Sequence, residues 1–318
     1  MRRRAGFAVA LVAALTLSGC DTLLTNRYGF VVDVPTRAAA PLAATRCDRV
    51  FSGWGSVDDQ GRVLRCRWTT SGYRWRLVAE RGEPRPLVLV YGDSLVVEAR
   101  ASVEAALGPG WVTVFKAYGG TAPCDFAPDA ARDVRMYRPN VVITSFSGNS
   151  LTACSATSTG DALAANYRAA LTTIADAASA GGAVAVLSAS PPPARLAFVD
   201  RATSIATATW DVALELERTG RRVRGSNDGI VLAEPSDPRT GAMALPCIPA
   251  EYEDCLDGST TVRNVDGIHF CPAEPPAPDS PTTCSVRSPG AERFGLALAE
   301  TITTALSDAP LPRPAPSA

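Results

Sequence analysis

The run Leu87-Val88-Leu89-Val90-Tyr91 is apolar at every position and stops at Gly92-Asp93-Ser94. An unbroken apolar run of this length fits a strand buried on both faces, as in a parallel sheet covered by helices. The helix-compatible Leu95-Val96-Val97-Glu98 follows, so Gly92-Asp93-Ser94 reads as a sharp strand-to-helix turn. It presents a hydroxyl at the strand's carboxyl end, the edge where open α/β sheets bind ligands. Ser94 is therefore a candidate nucleophile, provided that a base and oxyanion donors can be found for it. Asp93 reads as a turn residue.

Downstream, strand-like and helical runs alternate. Strands are expected at 112–115, 140–145 and 183–188, with a short fifth at 229–232. Helices are expected at 161–180, closed by Gly181-Gly182, at 195–219, stopped by Gly220, and at 291–306. This alternation predicts one parallel-sheet α/β domain over residues 85–307. Ahead of it, residues 46–80 carry alternating aromatic-rich segments punctuated by Gly61 and Gly72, a small β extension. A β unit packed on the main domain is the simpler reading. Trp54, Trp68 and Trp75 keep a carbohydrate-binding module open. The Pro-rich 308–318 tail reads as disordered.

The first residues read as an address. Arg2-Arg3-Arg4 is followed by an apolar stretch to Leu17 that is short for a bilayer span. Leu17-Ser18-Gly19-Cys20 then resembles a bacterial lipobox, which makes 1–19 a signal peptide, Cys20 the lipidated residue and 20–45 a tether. The expectation is an extracytoplasmic monomer held to the cell membrane by acyl chains. Eight cysteines remain besides Cys20, an even number that in an exported chain suggests disulfides. Proximity suggests Cys47–Cys66, Cys124–Cys154, Cys247–Cys255 and Cys271–Cys284. No Cys-x2-Cys pair exists, so no metal is expected. The balance of 31 basic against 32 acidic side chains, a net charge of −1, offers no field for nucleic acid.

The chain has one histidine, His269, in Val265-Asp266-Gly267-Ile268-His269-Phe270. A lone histidine is more often structural than catalytic. Here Asp266 stands three residues ahead on a short loop and can orient the imidazole, with Ser94 far upstream, in the order Ser…Asp…His. Oxyanion donors are expected in the loops after the neighbouring strands, from Gly119 or Gly120 and from Asn149 in Ser147-Gly148-Asn149-Ser150.

These residues resemble the SGNH hydrolases, the GDSL esterase/lipase superfamily. Gly92-Asp93-Ser94-Leu95 matches the nucleophile block, Gly120 the glycine block and Asp266-x-x-His269 the last block. Gly148-Asn149 matches the third block in part, since Ser150 stands where the family has Asp. The resemblance implies a three-layer α/β/α sandwich around a central parallel sheet. It implies Ser94 as nucleophile, His269 as base and Asp266 as its orienting carboxylate. The Ser94 N–H, the Gly120 N–H and the Asn149 amide would form the oxyanion hole, and no cofactor is needed. A Pro-rich insertion, Phe270 to Ser288, departs from the family pattern and is either a wall of the site or a surface elaboration. Family and address together suggest removal of O-acetyl or other short acyl groups from cell-envelope glycans. Esterase or lipase action on lipids, glycan O-acyl transfer and non-catalytic glycan binding are the alternatives.

Overall fold

The structure, a computed structural model, describes residues 42–48, 53–156, 158–191, 193, 196–219, 223–226, 244–246, 259–261, 264, 266–271, 284 and 288–307. The leader with Cys20, most of the tether, the 308–318 tail and the Cys247–Cys255 pair lie outside the described residues.

Five strands form the central sheet: β4 (Leu87–Gly92), β5 (Val112–Ala117), β6 (Val141–Phe146), β7 (Val184–Ala189) and β8 (Val223–Ser226). Their order is β5-β4-β6-β7-β8, and every pairing is parallel. All residues of β4, β6 and β7 are buried, as their continuous apolar character requires. Among the described residues, five helices connect and cover the strands: α1 (Ser94–Leu107), α2 (Ala127–Tyr137), α3 (Gly160–Ala180), α4 (Leu196–Arg218) and α5 (Pro289–Ser307).

Alternation along the strands divides the core in two. Val88 and Val90 of β4, with Val141, Ile143, Val184 and Val186, pack under α1 and α5 through Leu95, Val103, Phe294 and Leu298. Leu89 and Tyr91, with Val142, Ala185 and Leu187, face α2, α3 and α4 through Val134, Tyr167, Ile174 and Val212. The expected three-layer α/β/α sandwich is therefore present. The strand that follows α4 among the described residues is Val223–Ser226. The 229–232 stretch expected there lies outside the described residues. Helix α2, led by Pro128 and Asp129 in its first turn, had no counterpart in the periodicity reading.

Before the sheet, β1 (Gly55–Val57), β2 (Val63–Thr69) and β3 (Gly72–Ala79) make an antiparallel sheet closed by the Cys47–Cys66 disulfide. It shares the main core. Trp54, Val57, Val63 and Ala79 join the α2–α4 cluster, and the Trp54 indole N–H donates to Ala117 O at 3.0 Å. Buried Arg65 crosses to Glu104 of α1 at 2.5 Å and to the Thr113 hydroxyl at 2.7 Å. A short antiparallel pair, β9 (Ala244–Pro246) and β10 (Ser259–Thr261), completes the strands among the described residues.

The chain turns sharply from β4 into α1, and only glycine fits at position 92. A Cβ there would lie 2.3 Å from Val96 Cγ2 and 2.9 Å from Ser145 O. Gly92→Ala should therefore destabilise the protein by about 1–3 kcal/mol through overpacking. The unfolding midpoint in guanidinium measures this, and an unchanged midpoint would mean that α1 can lift away from β4.

Candidate active site

The strand order places the site. Strand β4 lies between β5 and β6, and Gly92 is level with Ala117 on one side and Ser145 on the other. The order of the neighbouring strands reverses there, which opens a crevice at the carboxyl edge. The loops after β5 and β6 therefore flank Ser94. Residues around Ser94 are buried, including Gly92, Asp93 and Leu95 to Ala99, whereas Ser94 itself is only half-buried.

Ser94 is the first residue of α1, so its N–H is one of the orphan donors of a helix start. Asp93 caps that helix by accepting from Leu95 N. His269 Nε2 lies 3.0 Å from Ser94 Oγ, and His269 Nδ1 lies 2.7 Å from Asp266 Oδ2. The other Asp266 oxygen accepts the Ile268 and His269 N–H groups at 2.8 and 3.0 Å. Gly267, at φ 71°, gives the tight turn that folds the carboxylate back on the ring.

Helix α1 holds this loop at a second point. Glu98, one turn beyond Ser94 and buried, accepts the Phe270 N–H at 2.7 Å. Ser288 Oγ donates to Phe270 O at 2.8 Å, and the Phe270 ring packs on Phe294 of α5. The Cys271–Cys284 disulfide begins just beyond.

On the opposite side, Gly120 sits at φ 78°, a conformation that favours glycine. Neither its N–H nor that of Ser94 has an acceptor among the described residues. Asn149 donates through Nδ2 to Asp93 Oδ2 at 3.0 Å and to Thr121 O at 3.3 Å. Tyr167 of α3 donates its hydroxyl to Asn149 O at 3.0 Å. The Cys124–Cys154 disulfide joins the two loops. Of the described residues, Cys124, Asp125 and Cys154 are the one group of metal-ligating types, and the disulfide leaves them no thiolate.

Asp93 has more to do than turn the chain. One oxygen, Oδ2, accepts the Ser147 N–H at 2.6 Å, the Ser147 hydroxyl at 2.6 Å and the Asn149 amide. Burial pushes its carboxyl above the ordinary range, against the pull of the Ser147 and Leu95 donors and of His269. The missed signal was positional: a residue just after β4 must face the loop after β6 once those strands are neighbours.

Burial would lower the His269 pKa, but the Asp266 hydrogen bond and the charges of Glu98, Asp266 and Asp93 leave it raised above 6.5. Burial would raise Asp266, yet its bonds to His269 and Ile268 hold it at about 2. By linkage, the raised histidine adds stability below its unfolded pKa that is lost as pH climbs through the folded value. Asp266 adds stability above its ordinary pKa that is lost as pH falls towards about 2.

Strand order and layering together decide the architecture. It is a three-layer α/β/α sandwich on a parallel sheet. Solved structures similar to the chain include a GDSL-like lipase from Bacteroides thetaiotaomicron VPI-5482, at 14% identity over 69% of this chain and 89% of that one, TM-score 0.42. A carbohydrate acetylesterase from Sinorhizobium meliloti shares 13% over 69% and 99%, TM-score 0.41. A carbohydrate esterase family 3 structure from Talaromyces cellulolyticus shares 13% over 71% and 100%, TM-score 0.44. No family profile matches the sequence, and no curated protein does. A chain with a single histidine allows an unambiguous test. In NMR, the His269 imidazole should titrate above 6.5 in the native protein, and Asp266→Asn should bring it down. A native value at or below 6.5 would contradict the described hydrogen bonding.

Proposed function

We propose that the protein is a serine esterase working through an acyl-serine intermediate. The observation that carries this is the continuous Ser94–His269–Asp266 hydrogen-bonded chain, 3.0 and 2.7 Å, at the carboxyl edge of the sheet. His269 takes the Ser94 proton as Oγ attacks an ester carbonyl. Negative charge then develops on the carbonyl oxygen. The Ser94 and Gly120 N–H groups receive it, joined by the Asn149 Nδ2 hydrogen that otherwise leans on Thr121 O. The C–O bond breaks, His269 returns the proton to the departing alcohol, and the acyl group remains on Ser94. Water, deprotonated by His269, releases the acid and regenerates the serine. Asp266 fixes the Nδ1–H tautomer and stabilises the imidazolium.

The substrate we infer is an O-acetyl or other short-acyl ester on a cell-envelope glycan. Support comes from the Leu17-Ser18-Gly19-Cys20 lipobox, which would anchor the chain outside the cytoplasm. Among the described residues, no helix is long and apolar enough to cross a membrane.

Ser94→Ala should abolish hydrolysis of p-nitrophenyl acetate and labelling by a fluorophosphonate while the unfolding transition persists. Retained turnover would overturn the assignment. Asp266→Asn should lower kcat by about 10⁴-fold, as loss of the correct tautomer does in serine hydrolases. The kcat/KM profile should fall on the acid side with an apparent pKa above 6.5, because His269 must be neutral to act.

A further inference from the structure

The sequence sets a glutamate inside an apolar run. Ser94-Leu95-Val96-Val97-Glu98-Ala99 opens α1, and Glu98 falls one helical turn beyond Ser94 on the same face. Leu95, Val96, Val97 and Ala99 are all buried, and Glu98 itself is 2% exposed. A carboxylate withdrawn this far from water is costly to keep, so what it touches carries weight. It accepts the Phe270 N–H at 2.7 Å.

A tie between α1 and the Phe270 loop needs an acceptor but no charge. The Phe270 carbonyl is held by a neutral donor, the Ser288 hydroxyl, at 2.8 Å. A glutamine carbonyl at position 98 would serve the Phe270 N–H as well. The negative charge is therefore surplus to the tie. The neighbouring group that responds to charge is His269, the residue before Phe270. Its ring meets Asp266 through Nδ1 at 2.7 Å and Ser94 through Nε2 at 3.0 Å. Asp266 from its own loop, Asp93 from the turn before α1 and Glu98 from within α1 all act on the ring, and each favours the imidazolium.

We propose that Glu98 is a positioning residue of the Ser94 site: through the Phe270 N–H it holds His269 at the serine, and through its charge it favours the imidazolium formed as Ser94 loses its proton. The kinetic half of this proposal rests on the esterase reading. Transfer of the Ser94 proton to Nε2 leaves a positive ring, which Asp266 stabilises by a hydrogen bond and Glu98 by charge alone. The two effects of Glu98 act on different groups, a backbone N–H and an imidazole, so substitution can separate them.

The test compares Glu98→Gln, Glu98→Ala and Ser288→Ala in the full chain. Glu98→Gln keeps an acceptor for the Phe270 N–H and removes the charge. Its His269 NMR titration and the acid limb of its kcat/KM profile should both move to lower pH, because less charge favours the protonated ring. Glu98→Ala loses the acceptor as well. It should lower kcat for p-nitrophenyl acetate about 100-fold with KM little changed, as a base displaced by about 1 Å does. Glu98→Gln should recover most of that kcat. Ser288→Ala loosens the same loop without removing a charge and should leave the His269 titration where it is. The glutamine variant decides the question even where alanine costs the fold, because the titration needs no turnover. An unmoved His269 titration in Glu98→Gln, an equal shift in Ser288→Ala, or wild-type kcat in Glu98→Ala would each overturn the proposal. A wild-type protein that neither hydrolyses the ester nor reacts with a fluorophosphonate would sink the esterase reading instead, and the titrations would still judge Glu98.

Discussion

One buried carboxylate, that of Asp93, ties together the end of β4, the start of α1 and the loop after β6. It accepts from Leu95, from both the amide and the hydroxyl of Ser147, and from the Asn149 side chain. Four donors converge on its two oxygens, so the carboxyl group serves here as a hub of accepted hydrogen bonds. The arrangement fixes three things at once: the helix start that presents the Ser94 amide, the path of the Ser147–Asn149 loop, and the orientation of the Asn149 amide. Its desolvation is costly, and the convergent donors offset that cost.

Helix α1 carries the opposite half of the site in a similar economy of parts. Ser94 and Glu98 lie one turn apart on one face and meet successive residues of the same loop, His269 and Phe270. The loop cannot slide along the helix without losing both contacts. Phe270 seated on Phe294, and Ser288 bonded to the Phe270 carbonyl, tie the position to α5 as well. The Ser94–His269 distance is thus set by packing over two helices rather than by the one hydrogen bond.

Much of this was legible in the amino-acid order. Continuous apolar runs marked β4, β6 and β7 because strands buried on both faces leave no polar alternation. The single histidine, with an aspartate three residues ahead, singled itself out, and the structure brings both to Ser94. Glu98 and Ser147 were not legible, since each acts on a residue distant in sequence and nothing local distinguishes them from ordinary helix and loop residues. Asp93 was misread as a turn residue for the same reason: its partners become neighbours only after β4 and β6 pair. The three tryptophans of the N-terminal unit looked alike until burial separated Trp68 from Trp54 and Trp75.

The Cys124–Cys154 bond has a bearing on how the site holds together. Its two cysteines belong to loops that follow β5 and β6, strands that never touch each other and meet only through β4. In the folded chain the bond closes across the end of β4, so the two loops that flank Ser94 cannot spread apart without breaking it.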